Sequence, residues 1–361
     1  MLSVATAASV GTIAVRERAA DYAKSVLRRL WGSVDPYSDK SVREFATQAA
    51  KVMRSAQTAS AQAAAAGITQ QLAALGVPVT ARPSNPLDVR ARGVQVSGGA
   101  LSLVRQPSRV EYSDGTTVEV PVQDKTTDEI FTRPAVGFRW IESEGGTRED
   151  AVRESGLRID TLVDDNLMLA QRLAQAEIIV QAVDLDDLGK SKIIGTRRII
   201  HPELSLSGTC GLCIAASDRI YRVTELLPIH NKCKCTYGIV TEEFDPADEL
   251  NTLDLSTLYE DAGGTSAAHL KRTRYQVDEH GELGPVLVPA KAYKPRDKAR
   301  RPSIPQHVTG KAESKAQVAA RLLPGLQQGL TGLRAKGLSE DSPQITYHLK
   351  QIAKLQRDLT A

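Results

Sequence analysis

The sequence predicts an α+β chain that is mainly helical: an N-terminal helical hairpin, a central helical domain carrying a small β-rich knuckle, and a C-terminal helical tail. Three observations lead there. Aromatic residues make up only 4 % of the 361 residues while Ala, Ser, Thr and Gln are abundant, which favours helices packed through small side chains over a large sandwich. Long apolar stripes at helical spacing occupy both ends of the chain. All four cysteines lie between positions 210 and 235 and the other 335 residues contain none, so one short region is built differently from the rest.

The first helix is read from Ala19, Tyr22, Ala23, Val26, Leu27, Leu30 and Trp31, ending near Gly32. The second carries Val42, Phe45, Ala46, Ala49, Val52, Met53 and Ala56 and continues through an alanine-rich stretch to about Leu75, where Gly76 and Pro78 stop it. Together they form the N-terminal arm, 1–76. Residues 77–130 read as an extended or irregular connector, with Val118 and Val120 after Asp114-Gly115 as one arm of a hairpin.

Helical pattern resumes at Thr147, which with Asp150 makes a capping-box signature, and runs through Leu162, Leu167, Leu173 and Ile178. Beyond Gly189 the period changes. Strand-prone stretches follow at 192–200, 219–223 and 236–240, with the cysteines at strand ends, then a short helix near Leu253, Leu255 and Leu258. A last hairpin pairs 274–277 with 285–288 about an Asp278-Glu279-His280-Gly281 turn. The central domain is therefore 131–288, with the knuckle at 208–240. A basic, proline-rich linker spans 289–312, and two helices fill 313–361, the first interrupted at Pro324 and the second opened by Ser342-Pro343.

Charge excludes some functions. With 46 Lys/Arg against 43 Asp/Glu the net charge is only +3, so no global field draws the chain to nucleic acid or membrane, and only local patches can. The first 15 residues lack a basic leader and are followed at once by Arg16, Glu17 and Arg18, so neither a signal peptide nor a spanning helix is expected. A local patch exists in the linker, where Lys291, Lys294, Arg296, Lys298, Arg300 and Arg301 face only Asp297. Such runs are usually solvated; their functional reading is non-specific, salt-dependent contact with DNA phosphates.

The cysteines are spaced Cys210-x2-Cys213, then His230-x2-Cys233-x-Cys235. Two close pairs facing each other across a loop suit a divalent ion such as zinc, which takes four soft or borderline ligands at tetrahedral corners. Lys232 and Lys234 beside the second pair favour the thiolate forms. Either all four cysteines ligate and His230 stands behind them, or His230 replaces one. Four protein ligands leave no open position for water or substrate, so the expected zinc is structural and serves folding. Packed thiols and disulfides formed on oxidation are the plainer alternatives. The clustering also suits a reducing cytoplasm.

The motif is specific in its detail: His201-Pro202-Glu203-Leu204, then Gly208-Thr209-Cys210-Gly211-Leu212-Cys213-Ile214-Ala215-Ala216-Ser217-Asp218-Arg219-Ile220-Tyr221, then Leu227-Pro228-Ile229-His230-Asn231-Lys232-Cys233-Lys234-Cys235. It resembles the phage Mu F-like minor head protein family, the head-morphogenesis proteins, in the form found in phages of actinobacteria. The helix holding Asp160 and Asp165-Asn166-Leu167-Met168-Leu169-Ala170 is similar to the segment preceding the motif there. The resemblance covers about 130–288, and it departs at His230-Asn231, where the family has His-Pro.

The resemblance implies a minor capsid protein made in the host bacterial cytoplasm and placed in the virion head at the portal vertex. It would serve head morphogenesis or DNA delivery, with the portal protein, major capsid or scaffold proteins and packaged DNA as partners and no membrane in the assembly state. The competing expectation is a capsid maturation protease, alone or fused to such a domain. No serine sits in a GxSxG elbow, and His201, His269, His280, His307 and His348 are scattered, as surface or packing histidines are.

Overall fold

The computed structural model describes residues 2–80, 82–83, 93–97, 100–104, 108–111, 117–120, 127–186, 193–201, 204, 208–221, 234–246, 255–264, 270, 274–280, 284–289 and 314–360. It is mainly helical, with small antiparallel sheets. The helices are α1 (Leu2–Trp31), α2 (Asp39–Ala74), α3 (Thr127–Ile130), α4 (Arg133–Ser143), α5 (Arg148–Asp186), α6 (Gly211–Ser217), α7 (Leu255–Ala262), α8 (Lys315–Ala335) and α9 (Pro343–Thr360). The strands are β1 (Gly93–Ser97), β2 (Ala100–Val104), β3 (Ser108–Glu111), β4 (Thr117–Val120), β5 (Ile193–Ile199), β6 (Thr209–Cys210), β7 (Thr236–Thr241), β8 (Arg274–His280) and β9 (Gly284–Pro289). They pair as β1-β2, β3-β4, β5-β7 and β6-β8-β9. No helix among the described residues is long and apolar enough to cross a membrane.

Two compact units form, and neither is a continuous stretch. The first takes Met1–Ala20, Ala56–Val104 and Asp164–Ile304; the second takes Asp21–Ser55, Arg105–Val163 and Pro305–Ala361. Helices α1, α2 and α5 each contribute to both, so the units do not follow the consecutive segments read along the sequence.

In the first unit α1 and α2 pack through small residues. A Cβ on Gly67 would lie 2.6 Å from Thr12 Oγ1 and 3.2 Å from the Ala8 carbonyl oxygen, so glycine is what lets the helices approach this closely. The Thr12 hydroxyl donates to the carbonyls of Ala8 and Ala63. Ala61, Ala64 and Ala174 make a second small-residue contact, with α5. The main core joins Ile68 and Leu72 of α2, Ile178, Ile179 and Ala182 of α5, and Ile193, Tyr237 and Ile239 of β5 and β7. Each such buried side chain contributes about 1.5–3 kcal/mol of transfer free energy.

Helix α2 ends as its sequence requires. Gly76 adopts φ +78°, and the amides of Val77 and Gly76 donate to the carbonyls of Leu72 and Ala73, closing a Schellman turn at the expected position. The capping box of α5 also forms: the Asp150 amide donates to Thr147 Oγ1 at 3.1 Å and the Thr147 amide to Asp150 Oδ2 at 3.3 Å.

The second unit is built on aromatic edges. Trp31 meets Phe45 at 5.1 Å between centroids, Phe45 meets Phe131 at 6.5 Å, and Tyr37 touches both Phe138 and Tyr347. Leu330 and Leu333 of α8 pack on Ile345 and Ile352 of α9. Polar contacts tie this helical pair to α4. Arg139 donates to the Tyr347 hydroxyl and the Pro36 carbonyl, and the Lys336 amine donates to the carbonyl oxygens of Glu142 and Ser143 at the end of α4.

Several expectations need correction. Helix α1 begins at Leu2, well before the stripe that was read from Ala19; its first half is rich in Ala, Ser, Thr and Val, which carry the helix without marking a stripe. Residues 127–143, where no helix was expected, form α3 and α4, with Pro134 in the first turn of α4 where proline costs no hydrogen bond. The connector holds a pair that was not expected, β1-β2, besides β3-β4, the hairpin expected at Val118 and Val120, with Val118 opposite Val110. Pro324 does not interrupt α8, which opens on a Ser314/Gln317 capping box and runs through it. Asp278, Glu279 and His280 belong to β8, so the bend of the last hairpin falls beyond them. Among the described residues of the stretch 219–223, which are 219–221, only Tyr221 is bridged, to Thr196.

Candidate metal centre

The site is built on β6, α6 and the start of β7. Cys210 closes β6 in extended conformation, opposite Arg274 of β8, and immediately precedes α6; Cys213 is the third residue of that helix. The CxxC pair therefore wraps a strand-to-helix corner, and Cys213 sits on a helix rather than at a strand end. Cys235 comes just before Thr236, the first residue of β7.

All three cysteines are at most 3 % exposed, and they belong to one core cluster with Met168 of α5, Ile200, Ile214, Leu258 of α7 and Leu270. Cys210 Sγ donates to the Leu270 carbonyl at 3.8 Å. The structure thus places the CxxC pair and Cys235 in one core cluster. Cys233 and His230 lie outside the described residues, as do Lys232 and the six linker cations Lys291, Lys294, Arg296, Lys298, Arg300 and Arg301. Among the described residues, Cys210, Cys213 and Cys235 included, no three His, Cys, Asp or Glu side chains are arranged to hold a metal ion. The donor chemistry, thiols in an apolar core cluster, suits a thiophilic ion.

Cations surround the second half of the motif. Arg172 of α5 is 3 % exposed and donates from Nη2 to the Cys235 carbonyl at 3.1 Å. Arg198 of β5, 2 % exposed, stands opposite Tyr237 in the β5-β7 register, and the Arg172 guanidinium lies 6.0 Å from the same ring. Burial pushes the Tyr237 phenol up, against the pull of both arginines. Lys234 pairs with Glu17, and its amine is held below its usual range by burial and then by the neighbouring Arg16. Arg16 is itself buried and donates to Gln171 Oε1 at 2.7 Å. A positive surround of this kind lowers the cost of thiolate charge in the interior.

Behind Cys235 runs a buried polar chain. Thr236 Oγ1 sits 2.9 Å from His201 Nε2 and donates to Ser9 Oγ at 3.0 Å, and all three residues are at most 3 % exposed. This chain fixes the start of β7, and so the Cys235 backbone, against α1. Sequence reading missed it, and missed Arg16, Arg172 and Arg198. Their residue types ordinarily mark surface, and nothing in the local pattern marks these copies as interior. The His201-Pro202 segment was the one available signal, through its place in the motif. Comparison of the chain with known protein families, with curated proteins and with solved structures gives no match.

Proposed function

We propose that this chain is a phage minor head protein of the Mu F-like kind, a portal-associated assembly factor whose central region is held by a structural zinc. The observation that carries the reading is the burial of Cys210, Cys213 and Cys235 in one core cluster although 16 residues separate the two halves of the motif. The ligand set would be completed by Cys233, or by His230 in its place, with the three buried cysteines drawn together around the ion, and Arg172, bonded to the Cys235 carbonyl, places a cation beside the second half of the motif. Zinc at such a site joins β6, α6 and β7 and adds folding free energy on the order of 10 kcal/mol, as in small zinc modules. A closed, buried set of protein ligands favours structure over catalysis.

Two measurements test this. Elemental analysis of the purified full chain is expected to return about one zinc per chain, lost in Cys213→Ser together with most of the thermal stability. Absence of zinc and iron with four titratable thiols refutes the metal. Mass spectrometry of purified particles, with pull-down by the portal protein, tests the assembly role. Absence from heads at every stage of assembly, with no portal binding, refutes it, and loss of capsid processing on changing a single Ser or His would replace it by the protease reading.

A further inference from the structure

Helix α9 carries Lys350, Lys354 and Arg357 at i, i+4, i+7 spacing. At 3.6 residues per turn these positions fall within an arc of about 60° and span about 10 Å of helix. They lie opposite the face of Ile345, His348, Ile352 and Leu355, which is buried. All three are exposed, and none makes an ion pair among the described residues. Asp358 is the one carboxylate of α9, and α8 has none.

The charge is regional. Residues 290–361 hold 14 Lys/Arg and 5 Asp/Glu, a net +9 within a chain of +3, so the preceding residues carry −6. A near-neutral total therefore conceals a strongly basic C-terminal region, and the structure gives part of it a rigid geometry.

We infer that the outer face of α9 is a docking surface for the backbone of duplex DNA. The apolar face of α9 is spent on α8, through Ile345 and Ile352 against Leu330 and Leu333, and its two exposed leucines, Leu349 and Leu359, stand too far apart along the helix to make the continuous apolar face that a lipid surface would bury. Single strands bind through exposed aromatic platforms. The aromatic ring on α9 is Tyr347, which is held under the Arg139 guanidinium, 3.9 Å from its centroid. What remains is a straight row of three cations on a rigid helix, complementary to a polyphosphate and without a base-reading group. The surface is separate from the linker cations and does not depend on the head-protein reading.

The test is fluorescence polarisation of the full chain with a labelled mixed-sequence DNA duplex, from about 50 to about 200 mM salt. Three phosphate contacts contribute about −2.7 to the slope of log K against log salt. K350Q/K354Q/R357Q is expected to bind at least about tenfold more weakly at low salt and to flatten the slope by about that amount, while retaining the wild-type circular dichroism and melting temperature. K40Q/K51Q, which neutralises two exposed lysines of α2, serves as the control and leaves the slope unchanged. No binding by the wild type at low salt, or equal slopes for wild type and the triple variant, overturns the inference. So does poly-glutamate competing as well as DNA of equal charge, which would assign the face to an acidic protein.

Discussion

Tyr37→Phe deletes one oxygen, the hydroxyl that donates to Glu142 Oε2 at 2.6 Å. Glu142 is 9 % exposed, and its carboxylate also faces Gln344 Nε2 at 3.5 Å and Arg148 at 3.7 Å, so the variant weakens its support without stranding it. A hydrogen bond to a charged acceptor contributes about 1.5–3 kcal/mol, and with two further donors in reach the loss at neutral pH falls near the lower end, about 1.5 kcal/mol. The pH dependence is the sharper readout. Burial, then the hydrogen bond to Glu142 and its charge, raise the Tyr37 phenol well above its ordinary value of 10.0, against Arg139 and Arg148. A group raised in the folded state contributes fully below its unfolded value and loses that contribution as pH climbs past it, because the unfolded chain releases a proton that the folded chain keeps. Above about pH 10 the wild type therefore loses up to about 1.4 kcal/mol per pH unit on account of Tyr37. Burial also raises Tyr347 and Tyr237, so the total slope is shared, and the difference between wild type and Tyr37→Phe isolates this one phenol. Urea unfolding followed by circular dichroism between about pH 9 and about pH 11 measures it. Parallel stability curves for the two proteins across that range would refute the reasoning.

Three further predictions rest on other contacts. Gly67→Ala gains up to about 1 kcal/mol of helix propensity but places a Cβ against Thr12 Oγ1 and the Ala8 carbonyl, an overpacking that costs about 1–3 kcal/mol. A net loss of about 1 kcal/mol is expected by thermal unfolding, partly recovered in G67A/T12A, and a stabilised single variant would contradict it. Thr236→Val removes the hydroxyl between His201 and Ser9 and leaves both buried, which should cost about 2–3 kcal/mol in urea; a neutral result would dismiss the chain as a tie. Pro324→Ala restores an amide donor in the middle of α8 at an exposed position and should stabilise the chain by about 1–3 kcal/mol, so a lowered melting temperature would show that the proline has a role in packing.

Where a rule acts over a few neighbouring residues, the structure was legible in the sequence. The Thr147-Asp150 box, the Gly76 stop of α2 and the stripe of α5 each depend on spacing within one or two turns, and each forms. Helix α4 is short and holds Pro134 and Gly137, which weaken its helical pattern, although a proline in the first turn starts a helix as readily as it ends one. The first half of α1 was hidden because small residues carry propensity without contrast. For the candidate metal centre the cysteines announced themselves by clustering, and three of them are buried in one core, though without a metal-holding arrangement among the described residues. The cations around them did not. Arg172 is tied to Cys235 across 63 positions, and Arg198 faces Tyr237 only through sheet register, so their meaning is set by tertiary pairing.

The interleaving of the two compact units bears on how the chain is made. Ile68 and Leu72 of α2 pack on Ile178 of α5 and then on Ile239 of β7. At a synthesis rate of about 5–20 residues per second, the interval between the emergence of Leu72 and of Ile239 is about 10–30 s. The second unit waits longer still, since Tyr37 and Arg139 find Tyr347 only on α9. Through that interval an apolar, alanine-rich hairpin stands without its partners on the ribosome. Such surface invites chaperones or other nascent copies, so yield in the cell should depend on elongation rate and temperature more steeply than the stability of the finished fold suggests.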